Sequence, residues 1–91
     1  MTTRRTVMEK ANDLGAEVEV SYYGGITGRG MRVSVYAPDG FVWYANDAHV
    51  IVADNNGEGG AAWCWRDTYA RMNEGVERCR TEDCDACEAT P

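Results

Sequence analysis

The sequence predicts an α+β domain: a helix, an antiparallel sheet of three to four strands, and a second helix, stacked in two layers. An irregular, acidic, cysteine-containing tail follows. Three observations carry this prediction. Residues 17–23 alternate strictly between apolar and polar. A second strand-like run at 31–37 leads into a Pro-Asp-Gly turn. Apolar residues then recur at three- and four-residue spacing from Ala62 to Val76. Alternation with period two marks a half-buried strand, and the 3-4 spacing marks one face of a helix.

Each element has a local reason. Thr6-Val-Met-Glu9 reads as a capping box, in which hydroxyl and carboxylate satisfy each other's backbone N–H groups. Val7, Ala11 and Leu14 follow at helical spacing, and Gly15 is a natural left-handed stop, so a helix is expected over about residues 7–14. In the first strand, Val18, Val20 and Tyr22 share one face, opposite Glu17, Glu19, Ser21 and Tyr23. Gly24, Gly25, Gly28 and Gly30 surround Arg29 in a hairpin loop that lacks the lysine and hydroxyl of a phosphate-binding loop. After Met31–Ala37, Pro38 and Asp39 are expected at the centre of a type I turn, with Gly40 left-handed in a bulge. That hairpin would set Ala37 opposite Phe41, Val35 opposite Trp43 and Val33 opposite Ala45. Arg32, Ser34, Tyr36, Val42 and Tyr44 would then share the outer face. His49–Ala53 is a fourth apolar run, an edge strand or a return crossing. The second helix presents Ala62, Trp65, Tyr69, Met72 and Val76 to the core, with Gly75 as its C-cap. One domain is expected over residues 1–76, with the tail over 77–91.

Composition narrows the classes of function. The chain has 91 residues, and a chain this short buries only about 60–65% of its unfolded surface. At 44% hydrophobic, with three Trp, five Tyr and one Phe, it can still build a core. The net charge of -6 is uneven: residues 1–53 carry five basic and six acidic side chains, residues 54–91 four and nine. An acidic second half opposes phosphate-backbone binding, which needs clustered Lys and Arg. It suits a basic protein partner or mimicry of nucleic acid. No apolar run approaches the roughly 20 residues that span a bilayer, and the first residues lack the apolar stretch of a secretory signal. The expected location is the cytoplasm, where thiols stay reduced and four cysteines point to metal before disulfides.

Three of the four cysteines fall in the last thirteen residues, as Cys79-x4-Cys84-x2-Cys87, among Glu82, Asp83, Asp85 and Glu88. Two thiolates two residues apart can chelate one tetrahedral ion, so Cys84 and Cys87 form half of a zinc knuckle. Cys79 supplies a third ligand, and the fourth falls to Cys64, His49 or a tail carboxylate. Cys64 lies between Trp63 and Trp65 and reads equally as a buried apolar thiol. An iron–sulfur cluster, a disulfide from Cys79 to Cys84 or Cys87, and free thiols are the alternatives to zinc.

The second candidate surface is the outer sheet face, where Tyr23, Arg32, Tyr36, Val42 and Tyr44 would be presented together. Tyr and Arg are enriched at binding hot spots, which suits a protein contact, a homodimer included. A base-stacking platform for single strands is the competing use, and Glu17 and Glu19 on the same face oppose it. His49, the sole histidine, has no neighbours in sequence that form a catalytic triad. Asp13, Asp39, Asp47, Asp54 and Asp67 have local tasks in caps, turns and exposed helix faces. No catalytic constellation emerges, and no enzyme is expected.

Two resemblances bear on this reading. The Ala-Pro-Asp-Gly turn at 37–40, His49, the run Trp65-Arg-Asp-x-Tyr-x-Arg-Met, Gly75-Val and the cysteine spacing resemble small accessory proteins of phages that infect actinobacteria. That resemblance implies a host-cell cytoplasmic setting and binding to a host or phage protein, with no reaction attached. The element order is similar to the double-stranded-RNA-binding topology, but the basic residues that topology uses on phosphate are missing here. The expected function is therefore non-catalytic protein–protein binding. A nucleic-acid role, as stacking platform or acidic mimic, is the alternative.

Overall fold

A computed structural model describes residues 2–24, 30–57, 60–81 and 84. The order is α1 (Arg4–Leu14), β1 (Glu17–Tyr23), β2 (Gly30–Tyr36), β3 (Phe41–Trp43), β4 (Val50–Asp54), α2 (Ala61–Met72) and β5 (Val76–Arg78). The α+β class is as expected, with two helices and a small antiparallel sheet. The strands form a three-stranded sheet, ordered β1-β2-β4, and a two-stranded one from β3 and β5. Most of the glycine-rich loop, including Arg29, lies outside the described residues.

The first helix begins one turn earlier than its apolar spacing suggests. Thr3 is the N-cap, and it exchanges capping bonds with Thr6 in place of the Thr6–Glu9 pair. Glu9 is instead bonded to Arg5 at 3.0 Å, one turn back on the exposed face. Gly15 closes the helix at φ 76°, in the left-handed region as expected. The second helix stops at Met72, earlier than expected. Asn73 caps it in right-handed geometry, and Gly75, at φ 87°, reverses the chain into β5.

The largest departure concerns β2. Its expected hairpin partner is the segment after the Pro-Asp-Gly turn, but its actual partner is β4. Val33 faces Ala53 and Val35 faces Ile51, while Val18 and Val20 pair with the other side of β2. The Pro38 carbonyl accepts from the Phe41 N–H at 3.0 Å, so Asp39 and Gly40 are the central residues, with Gly40 at φ 79°. The chain leaves the sheet there. The Val50–Ala53 run offers β2 a longer apolar ladder than three-residue β3 can, and it wins the pairing. Phe41 faces Arg78, Val42 faces Glu77 and Trp43 faces Val76 in the second sheet.

Trp43 still reaches the core, by its side chain. It is fully buried, and its indole N–H donates to the Val35 carbonyl at 2.9 Å. Around it pack Val7 and Ala11 of α1, Met31, Val33 and Val35 of β2, Ile51 of β4, and Cys64, Trp65 and Met72 of α2. Each fully buried Val, Ile or Met among them contributes about 1.5–3 kcal/mol. On α2 the buried stripe is Cys64, Trp65, Thr68 and Met72. Ala62, expected on the core side, is exposed, and Val76 belongs to β5. The Thr68 hydroxyl donates to the Cys64 carbonyl at 2.7 Å, which lets a polar residue sit there.

Gly30 is required where it stands. It faces Tyr23 across the β1–β2 ladder, and the Tyr23 ring lies flat over it. A Cβ at residue 30 would come within 2.1 Å of that ring. Gly30→Ala is expected to cost about 1–3 kcal/mol in denaturant unfolding. The same change in a Tyr23→Ala background is expected to cost much less, because the ring is the obstacle.

Candidate metal centre and outer sheet face

The turn at 37–40 holds two distant parts of the chain together. At its start, the Ala37 N–H donates to the His49 carbonyl at 2.7 Å. At its far side, the Gly40 carbonyl accepts from the Cys79 N–H at 2.8 Å. His49 is fixed further by its own turn: Trp43 N–H donates to Ala48 at 2.7 Å, and Asn46 brackets the segment by accepting from Ala48 and donating to Val50. Cys79 extends the β3–β5 ladder by one residue. Both side chains are half-buried.

Cys84 completes the group. His49 Nε2 and Cys84 Sγ are 2.9 Å apart, and the donor atoms of His49, Cys79 and Cys84 all lie within 4.8 Å of one another. In a tetrahedral zinc site, metal–sulfur bonds of about 2.3 Å place neighbouring donors roughly 3.5–3.8 Å apart. Side-chain adjustments of about an ångström would bring these three atoms onto such a site. The group can therefore hold a metal ion. An imidazole and two thiols are the donors that borderline-soft ions take, whereas calcium and magnesium require oxygen.

Of the expected ligands, Cys79 and Cys84 are brought together, while Cys87 lies outside the described residues, as do Glu82, Asp83, Asp85 and Glu88. Among the candidates for a further ligand, His49 joins the group and Cys64 does not. Cys64 is fully buried, its thiol points at the Met31 carbonyl at 3.5 Å, and burial pushes its pKa up. It remains a neutral, packed thiol. His49 lies thirty-five positions before Cys84, so only the fold brings the two together.

The outer face of the three-stranded sheet differs from the expected set. Tyr23, Arg32 and Tyr36 are there and exposed, joined by Val52 from β4. Val42 is not: it lies in β3, only 6% exposed. Tyr44 is 63% exposed, but in the turn after β3 and off this face. Both departures follow from β4 replacing β3 beside β2.

At one end of this face Tyr23 crosses β2 to donate its hydroxyl to Asp54 Oδ1. Arg32 contacts Asp54 Oδ2 at 3.1 Å, and the Asn56 N–H donates to Oδ1 at 2.9 Å. These partners, the Tyr23 hydroxyl first, hold the Asp54 carboxyl below its ordinary value of 3.8. The same bond lifts the Tyr23 phenol above 10.0. Next to it, buried Asn55 accepts from the Met31 and Gly57 N–H groups at 2.9 Å each, tying the loop after β4 to the start of β2.

No protein-family model matches this sequence, and no curated protein or solved structure matches it significantly. Among the described residues, no helix is long and apolar enough to cross a membrane.

A carboxyl whose pKa is lowered by folding adds stability above its unfolded pKa and loses it as pH falls through the folded one. The Asp54 contribution is thus present at neutral pH and is lost below about pH 4. A raised phenol works in the opposite sense: the Tyr23 contribution is full below about pH 10 and is lost as pH rises through its folded pKa. Asp54→Asn is expected to lower Tm at pH 7 and to flatten its fall below pH 4, as measured by thermal unfolding across pH.

Proposed function

We propose that this chain is a small non-catalytic binding protein whose C-terminal segment is anchored by a structural zinc ion. The observation that carries the reading is the convergence of His49 Nε2, Cys79 Sγ and Cys84 Sγ within 4.8 Å, from segments far apart in sequence. Zinc suits one nitrogen and two or three sulfur donors without a demand on geometry beyond the tetrahedron. Cys87, separated from Cys84 by two residues, has the spacing of the fourth ligand. Four protein ligands make a closed site, which is structural and leaves no position for substrate. Thiolate ligation also fits a reducing compartment, the cytoplasm of a host cell if the chain is phage-encoded.

With the tail anchored, the outer sheet face becomes the binding surface for a protein partner. Tyr23, Arg32 and Tyr36 supply the aromatic and guanidinium groups that hot spots favour, with Val52 as apolar filling. This use is the one expected of the phage accessory proteins that the sequence resembles.

Native mass spectrometry of reduced protein tests the anchor. The expected result is one added mass of about 65 Da, lost on chelation. His49→Ala and Cys84→Ser are each expected to lower the bound zinc and to weaken the response of Tm to added metal. At free zinc a thousandfold above Kd, the ion adds about 4 kcal/mol to stability. An apo mass that stays unchanged when zinc is supplied to reduced protein sinks the proposal.

A further inference from the structure

The three-stranded sheet has two edges, and the fold treats them differently. Along β4 the outward carbonyls are taken up by side chains. Asn46 Nδ2 donates to the Val50 carbonyl at 2.9 Å and Arg71 to the Val52 carbonyl at 3.1 Å. Along β1 no such cap exists among the described residues. The alternation of an antiparallel ladder shows which groups are left. Ala37 bonds toward β4, so even-numbered Tyr36, Ser34 and Arg32 bond toward β1. They meet Glu17, Glu19 and Ser21, so Val18, Val20 and Tyr22 turn their N–H and C=O groups outward.

An open edge usually carries devices against pairing: a short strand, a proline, charged side chains, lysine above all, or a bulge. β1 has no proline, lysine or bulge, and its charges are confined to one end and one face. It is seven residues long, its register with β2 is unbroken, and its only charges are Glu17 and Glu19. Its helix-side residues are under-covered as well. Val18 and Val20 are half-buried, and Tyr22 is 71% exposed.

We propose that β1 pairs antiparallel with β1 of a second copy of this chain, about a two-fold axis through Val20, giving one six-stranded sheet. The placement of the two acids selects the register, and in that register the strand is self-complementary, apolar residues meeting apolar ones and no acid meeting an acid, which suits a second copy as the occupant. With the axis at Val20 all seven residues pair. Each Glu17 then faces a Tyr23, and each Glu19 faces a Ser21. On the other face Val18 meets Tyr22 and Val20 meets its own copy, the β-branched and aromatic pairings that stabilise sheets. Moving the axis to Glu19 sets two carboxylates directly opposite each other. Moving it to Val18 sets Glu17 against Glu19 twice. Like charges so placed are destabilising. Moving it to Ser21 leaves Glu17 and Val18 without partners. The register with the most pairs is thus also free of opposed acids. It joins the two outer faces into one continuous surface, and it is independent of the metal centre.

Sedimentation equilibrium of the full, reduced chain provides the test, with two substitutions at exposed Ser21. Wild type is expected to dimerise. Ser21→Glu, opposed to Glu19 of the other copy twice over, is expected to raise the dimer Kd roughly tenfold. Ser21→Lys, opposed to the same carboxylates, is expected to lower it by a similar factor. Hydrogen exchange supplies a check that needs no variant: the amides of Val18, Val20 and Tyr22 gain protection as concentration rises. A wild type that stays monomeric up to about a millimolar overturns the proposal, whether the edge is unused or waits for a foreign strand. A dimer whose Kd moves the same way with both substitutions, or whose β1 amides gain no protection, overturns it too.

Discussion

The double pairing of β2 is the constraint on which the rest of the structure depends. Among the described residues it is the one strand flanked on both sides, by β1 and β4, and its Val33 and Val35 are fully buried. Because β4 occupies the second flank, β3 must seek another partner, and it finds one in β5. That displacement carries Cys79 back toward the Pro-Asp-Gly turn. His49 enters beside β2 at one end of that turn, and Cys79 is bonded to the other end. The His49–Cys79–Cys84 group, which could hold a metal ion, is therefore a by-product of which strand wins a place in the sheet.

Much of this was legible in the sequence. Strict alternation defined β1, because a half-buried strand has no other way to satisfy both its faces. Gly15 ended the first helix for want of any other residue that accepts its φ without cost. The tail cysteines stood out as candidate ligands, and two of them, Cys79 and Cys84, are brought together in a group that could hold a metal ion. Legibility failed where two segments compete for one partner. Nothing local to Phe41–Trp43 reveals that Val50–Ala53 pairs better with β2, so the hairpin expected from the turn put Val42 and Tyr44 on the wrong surface. The first capping box failed for a related reason. Thr3 and Thr6 can cap each other as well as Thr6 and Glu9 can, and the extra turn of helix favours the earlier pair. His49 could be named as a candidate ligand, but its selection over Cys64 rests on burial, which appears only once the core is assembled.

The two ends of the sheet divide the work. Near the turn at 37–40, half-buried soft donors gather, with the backbone around them fixed by hydrogen bonds. At the opposite end, Tyr23, Arg32 and Asp54 form a polar clamp across all three strands, made from charges and hydroxyls that cancel locally. The clamp leaves little net charge on that part of the outer face. Tyr36 and Val52 lie beyond it and are exposed. A surface of this kind favours contact through shape and aromatic area over long-range attraction.

The pairing of β3 with β5 has a consequence for how the protein is made. Phe41–Trp43 leaves the ribosome long before Val76–Arg78, yet each needs the other to close its ladder. The three-stranded sheet can assemble while synthesis is still under way, since β4 follows within a few residues of the intervening turn. Gly40 and Tyr44 must then wait, the carbonyl of one and the N–H of the other without their partners, until nearly the whole chain has emerged. A premature stop soon after Met72 would release a chain whose buried core residues are all present and whose small sheet is open. Such a chain would present Phe41 and Val42 to its neighbours, and its quality would be decided by residues at the margin of the core, Val76 among them.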